Sequence, residues 1–113
     1  MKHVHYTDVE LEIPKEKGIK DVMLRWLIFK NDGAKNFAMR LFEIKSQGYT
    51  PFHDHDWEHE VFILEGSGVI KNINGEEQLN PGDVLFVPPM EKHQFINTGS
   101  KTLKFLCLVP IKD

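Results

Sequence analysis

The sequence predicts an all-β domain built as a sandwich or barrel of short strands. Short apolar runs recur along the chain, and Gly, Asn or Pro turn signals separate them roughly every eight to twelve residues. No segment keeps the 3.6-residue period of an amphipathic helix. The 113 residues have room for one domain, and no linker-like stretch divides them, so we expect a single domain over residues 1–113.

The predicted strands follow one another with turn signals between them. Residues 1–13 alternate apolar and charged side chains as a strand does, and Pro14 ends this first strand. Asn74-Gly75 is the clearest hairpin turn in the chain. The other strands are predicted over residues 21–29, 37–44 (ended by 46–48), 61–64, 69–73, 84–87, 93–97 and 103–109.

Composition and charge argue against several classes of partner. A net charge of −3 with scattered Lys and Arg offers no surface for nucleic acid. No apolar run is long enough to span a bilayer, and the first residues lack the apolar core of a secretory signal. Cys107 is the single cysteine, so it can form no internal disulfide. We therefore expect a cytoplasmic protein that binds a small molecule and contacts neither membrane nor nucleic acid.

Histidines are concentrated in one stretch of the chain. Three of the six, His53, His55 and His59, fall within seven residues. On an extended segment His53 and His55 point the same way, and imidazole is the commonest metal ligand among side chains. His93 lies at the start of a predicted strand, which a barrel can bring beside the cluster. The four side chains predict an all-nitrogen metal site that suits Mn, Fe, Ni, Cu or Zn.

Two motifs in this chain resemble those of the cupin superfamily. The first family motif contains a glycine, an HxH pair, a third ligand and a closing glycine, and here it begins with Gly48 and His53-Asp54-His55. The second covers GDVLFVPPMEKHQFIN, in which Met90 stands where the family usually has a glycine. Its matching positions are Gly82, Pro88, His93 and Asn97. The resemblance covers residues 35–110 and implies a jelly-roll barrel, the cupin double-stranded β-helix.

The third ligand has two candidates. Glu60 keeps the family's four-residue gap after His55, whereas His59 keeps a three-residue gap. Six residues separate His59 from Gly66, as in the motif, and only five separate Glu60 from it. HDHDWEHE also resembles small single-domain cupins that bind manganese with four histidines. The resemblance therefore implies manganese on His53, His55, His59 and His93, with Glu60 as the alternative to His59.

Strand parity predicts which side chains line the pocket. If Glu43 faces solvent, Arg40 faces inward, where it either holds an anionic group of a ligand or pairs with an internal carboxylate. The same alternation turns Phe105 and Cys107 inward, beside the metal, and makes Phe95 a wall of the cavity. Arg40, Phe105 and Cys107 are the predicted catalytic-site residues.

Apolar side chains on the outer strand face suggest self-association. Phe37, Met39 and Leu41 are predicted to face outward, and small cupins commonly dimerise, so the resemblance implies a homodimer. Trp57, between the ligands, is either a lid over the pocket or an interface residue.

The resemblance implies a metal-dependent protein but leaves its reaction open. A neutral four-histidine shell keeps the full divalent charge on the metal, and an octahedral ion keeps two positions open for substrate. The leading hypothesis is an enzyme, dioxygenase-like or another oxidoreductase, that acts on a small oxygenated molecule. The alternatives are a non-catalytic small-molecule or sugar-binding module and a sugar isomerase.

Overall fold

The computed structural model describes residues 1–112 and confirms the all-β prediction. Asp113 belongs to the predicted single domain but lies outside the described residues. Two short 3-10 turns, Tyr6–Asp8 and Lys30–Asp32, are the helical elements of residues 1–112, and neither is long and apolar enough to cross a membrane. The strands are β1 (Lys20–Ile28), β2 (Phe37–Tyr49), β3 (His59–Glu65), β4 (Gly68–Asn72), β5 (Gly75–Leu79), β6 (Val84–Val87), β7 (Gln94–Ile96) and β8 (Leu103–Pro110).

The strands form one antiparallel sheet that curls into a jelly-roll barrel. Their order is β5-β4-β7-β2-β8-β3-β6. Strand β1 also pairs with β2, along the edge opposite to β8. Strand β2 does not end at residues 46–48 as predicted but continues to Tyr49, which pairs with β7. It bends there, with Gln47 at φ +69°. Gly48 makes this bend possible, because a Cβ at that position would lie 2.6 Å from the Lys20 carbonyl oxygen.

The predicted strand over residues 1–13 is wrong. The segment makes only one isolated bridge, Glu12 to Leu24, and residues 6–8 form a 3-10 turn instead. The Arg25 guanidinium donates hydrogen bonds to the backbone carbonyls of residues 6, 7 and 9, at 3.2, 3.2 and 2.6 Å. These carbonyls are therefore satisfied by a side chain rather than by a neighbouring strand.

Parity predicted most of the barrel interior correctly. Leu103, Phe105 and Cys107 are buried, as the alternation in β8 requires. Leu41 lies on the outer face, as predicted, but it is only 4% exposed. Its cross-strand partner is Arg25, which holds the N-terminal segment beside this outer face of the sheet.

Aromatic rings fill the centre of the barrel. Phe105 stacks on Phe42, with ring centroids 5.1 Å apart, and on Phe95, with centroids 4.4 Å apart. Such offset stacking stabilises a core beyond the area it buries. The same three rings line the cavity into which the histidines project.

Candidate metal centre

Four histidines converge at the polar end of the barrel. His53 and His93 form an isolated antiparallel bridge with backbone hydrogen bonds of 3.1 and 2.9 Å. His55 follows in the same loop, and its ring centroid lies 4.2 Å from that of His53 and 5.7 Å from that of His93. One ligand nitrogen from each of these three residues lies within 4.8 Å of the others, as a shared cation requires.

His59 places a fourth imidazole next to these three, although the group of nitrogens within 4.8 Å of one another does not include His59. It is the first residue of β3, only 5% exposed, and its ring centroid lies 5.1 Å from those of both His55 and His93. Glu60 is exposed, because neighbouring residues of a strand face opposite ways. The fold therefore turns His59 toward the cluster and Glu60 toward the outer surface, while the role of His59 as a ligand stays a prediction.

Neighbouring groups contact Nδ1 of two of the imidazoles, those of His93 and His59. The backbone carbonyl of Glu91 accepts a hydrogen bond from Nδ1 of His93 at 2.9 Å, which leaves Nε2 of His93 with a free lone pair. Nδ1 of His59 lies 3.3 Å from Sγ of Cys107 and 3.3 Å from Nη2 of Arg40. Nε2 of His59 is buried and has no partner among residues 1–112. Buried polar atoms are rarely left unpaired, so this nitrogen fits the role of a metal ligand.

Burial and neighbouring charges keep three of the imidazoles neutral, those of His53, His55 and His59. Burial, followed by the charge of Arg40, lowers the pKa of His59 to about 3. Burial, followed by the neighbouring His53, lowers the pKa of His55 to about 4. Burial also lowers the pKa of His53. At neutral pH these side chains therefore offer lone pairs rather than positive charge, which is what metal binding requires.

A cavity of about 190 Å³ lies beside the cluster. Apolar and aromatic side chains make up most of its wall outside the histidines. All three predicted catalytic-site residues line it, together with the predicted wall and lid: Arg40, Phe105, Cys107, Phe95 and Trp57.

Arg40 is held in the cavity without an acidic partner. Its Nη2 donates to Sγ of Cys107 at 3.0 Å, and its guanidinium lies over the rings of Trp26 and Phe42, at 5.3 and 4.9 Å from their centroids. Within residues 1–112 it forms no ion pair with a carboxylate, and its Nε has no hydrogen-bond partner. Of the two alternatives for Arg40, pairing with an internal carboxylate is not what the structure contains.

Trp57 lies against the cluster rather than apart from it. Its ring stacks on that of His55, with centroids 4.4 Å apart and planes 8° from parallel. The Lys112 ammonium lies 5.3 Å from the centroid of Trp57 and pairs with Asp56 at 2.9 Å. This placement fits a lid over the cavity.

Sequence reasoning missed the contribution of the N-terminal quarter of the chain. Glu16 and Ile19 line the cavity, as does Leu24 of β1. Leu24 pairs with Phe42, so the register of β1 on β2 would have revealed it. Glu16 lies in a charged turn, and no pattern in the sequence connects that turn with the histidines.

The second motif keeps its turn although it lacks the usual glycine. Met90 adopts φ +67°, a conformation that glycine accepts far more easily than other residues. Its N–H donates a 2.6 Å hydrogen bond to the His55 carbonyl oxygen. The turn therefore fastens the loop that carries His55 to the segment that leads to His93.

The chain is similar to several known proteins. A family model described as "Cupin domain" matches residues 40–109. An uncharacterized protein of Methanocaldococcus jannaschii is 31% identical over 90% of this chain and 80% of its own length. The glucose-6-phosphate isomerase of Thermococcus litoralis is 32% identical over 72% of this chain, which spans about half of that enzyme (49%).

The solved structures that are similar along almost the whole chain include that of the polyketide cyclase RemF from Streptomyces resistomycificus, with 40% sequence identity and a TM-score of 0.94. The match covers 99% of this chain and 80% of RemF.

Proposed function

This chain belongs to the cupin family, and we propose that it is an enzyme that uses a divalent metal to act on a small oxygenated molecule. The observation that carries the proposal is the convergence of imidazoles beside a cavity, with Nε2 of His59 buried and without a partner among residues 1–112. The proposed ligands are His53, His55, His59 and His93. Manganese is the proposed metal, by resemblance to four-histidine cupins, with Fe, Ni, Cu and Zn as the other candidates.

The protein's own side chains support a largely apolar substrate that carries oxygen atoms. A divalent ion bound here would polarise a carbonyl, enol or phenol oxygen of the substrate. Arg40 has a buried, unpaired Nε that can donate to an anionic oxygen. Phe42, Phe95 and Phe105 provide aromatic walls that contact an apolar ring and exclude water.

Two reaction classes suit such a substrate. The first is oxidation of a dioxygenase-like kind, which needs a metal with open coordination positions. The second is cyclisation without oxygen, which the similarity to the polyketide cyclase RemF favours. A sugar isomerase is less well supported, because a sugar needs many polar partners and the cavity wall here is mainly apolar.

Metal-dependent turnover tests this proposal. We expect about one divalent metal per chain in the purified protein, and loss of activity when a chelator removes it. Protein reloaded with each candidate metal should be incubated with phenols, 1,3-diketones, small carboxylic acids and sugar phosphates. Oxygen uptake and product mass would be measured together, since oxidation consumes oxygen and cyclisation does not. Tight reversible binding without turnover by any metal form would contradict the enzyme and support a binding module.

We also propose that the chain forms a homodimer through the outer face of β3, β6 and β8. Phe62, Val84 and Phe86 are 44%, 74% and 58% exposed there. Phe62 pairs with Val84 on one side and with Leu106 on the other, so the apolar side chains are contiguous. Contiguous exposed apolar surface of this kind commonly marks a protein interface.

Charge introduced into this face is expected to separate the protomers. The double substitution Phe62→Asp and Phe86→Asp places carboxylates in the proposed interface, and we expect dimer affinity to fall at least roughly tenfold. Sedimentation analysis would report the change toward the 13.2 kDa monomer. Ile73→Asp is the matched control, since Ile73 is 76% exposed but lies in the hairpin between β4 and β5. A monomeric wild type at micromolar concentrations would contradict the dimer.

A further inference from the structure

We infer that Cys107 is a positioning residue that holds His59 in the tautomer able to bind a metal, and that Arg40 competes with it for the same nitrogen. The inference rests on the proposed metal centre. It gives a role to a buried thiol that the proposed chemistry does not use.

The three side chains form a closed triangle inside the barrel. Sγ of Cys107 and Nη2 of Arg40 each lie 3.3 Å from Nδ1 of His59, and they lie 3.0 Å from each other. Cys107 and His59 are 3% and 5% exposed. Water therefore has little access to Nδ1 of His59. Whether this nitrogen carries a proton depends on its two neighbours, Cys107 and Arg40.

Donor and acceptor chemistry makes the two neighbours opposites. A guanidinium only donates, so Arg40 can bond to Nδ1 only when that nitrogen carries no proton. Neutral His59 then has its proton on Nε2, and a protonated Nε2 cannot bind a metal. A thiol can accept a hydrogen bond from Nδ1–H as well as donate one to a bare Nδ1. Of the two neighbours, only Cys107 can therefore pair with the tautomer that leaves Nε2 bare, and Arg40 opposes that tautomer.

His93 provides the comparison within the same site. Its Nδ1 donates to the Glu91 carbonyl oxygen at 2.9 Å, which is the usual way in which a protein orients a ligating imidazole. His59 has no such oxygen within hydrogen-bond distance among residues 1–112. The acceptor available to Nδ1 of His59 is the sulfur of Cys107, and the Arg40 guanidinium lies beside it. Binding a metal at Nε2 therefore requires the Nδ1 proton to be directed at Cys107.

A double-mutant cycle on zinc affinity tests this role. We expect Cys107→Ala to weaken zinc binding about tenfold while Arg40 is present, because the guanidinium then holds Nδ1 without competition. In the Arg40→Met background the same substitution should cost about threefold or less. Cys107→Ser keeps an acceptor and should stay within about threefold of wild type. An equal cost of Cys107→Ala in both backgrounds would show a merely structural role and overturn the inference.

Nitrogen-15 NMR of the histidine rings gives a readout that does not depend on the metal. In metal-free Cys107→Ala we expect His59 entirely with its proton on Nε2, whereas the metal-free wild type should show a measurable fraction with the proton on Nδ1. Identical tautomer populations in the two proteins would overturn the inference. A wild type that binds no zinc would refute the proposed metal centre, and the metal-free NMR comparison would still decide the role of Cys107.

Discussion

Replacing His59 with alanine is expected to lower divalent-metal affinity about 100-fold, while Glu60→Ala leaves it unchanged. His59 is buried among the other imidazoles with an unpaired Nε2, so its loss removes a proposed ligand and opens a gap in the cluster. Glu60 is exposed on the other face of β3 and pairs in register with Phe86 and Leu108. Metal content after dialysis and competition with a chromophoric chelator would measure both effects.

His3→Ala is the control for the comparison of His59 with Glu60. It removes an exposed histidine from the N-terminal segment and should retain full metal content. Loss of metal in Glu60→Ala together with retention in His59→Ala would require β3 to be shifted by one residue, since such a shift exchanges the two faces of a strand. That result would replace the four-histidine proposal with a site of three histidines and one carboxylate.

The ligand spacing could be read from the sequence because most of it is local. His53 and His55 are two residues apart, and six residues separate His59 from Gly66. The bridge between His53 and His93 joins residues that are far apart in the sequence. It could be predicted only because the sequence indicated a barrel. Whether the cluster holds a metal, and which one, depends on donor chemistry and metal supply rather than on strand pattern.

Which side chains of β2 and β8 face the barrel interior could be predicted, because one charged residue shows which face is outward. Glu43 was expected to face solvent, and it pairs outside the barrel with Lys104 at 3.4 Å. Once that residue is assigned, strand alternation turns Arg40 and Phe105 inward. Leu41 faces outward as predicted, but it is buried because a segment from elsewhere in the chain lies over the outer face.

The N-terminal segment shows why local pattern was not enough. Val9, Leu11 and Ile13 alternate with acidic residues as a strand would, yet only Glu12 makes a sheet bridge. Strand pairing requires free backbone hydrogen-bonding groups. Here the Arg25 side chain is hydrogen-bonded to the carbonyls of residues 6, 7 and 9. These hydrogen bonds from Arg25 cannot be seen in the segment itself, and no pattern in residues 14–19 indicated that they line the cavity.

Asn97 joins three parts of the backbone inside the barrel. Its side chain is fully buried, and its Nδ2 donates to the carbonyl oxygens of Ile44 and Lys101, each at 2.8 Å. Its Oδ1 accepts from the Gly99 N–H at 2.9 Å. One amide thus ties β2 to the loop before β8 and closes the turn after β7. No other uncharged side chain of this size offers two donors and an acceptor in this arrangement.

Asn97→Ala is expected to destabilise the metal-free protein by about 2–4 kcal/mol, because it removes the side-chain partner of the buried Ile44 carbonyl and of two partly buried groups, the Lys101 carbonyl and the Gly99 N–H. A loss of this size is a large part of the stability of a small domain. Urea unfolding followed by tryptophan fluorescence would measure it, with an unchanged slope confirming a common unfolding transition. Asn31→Ala, at an exposed asparagine, should change stability by less than about 0.5 kcal/mol. A cost below about 1 kcal/mol at Asn97 would mean that water replaces its hydrogen bonds, and the side chain would then not be what holds these segments together.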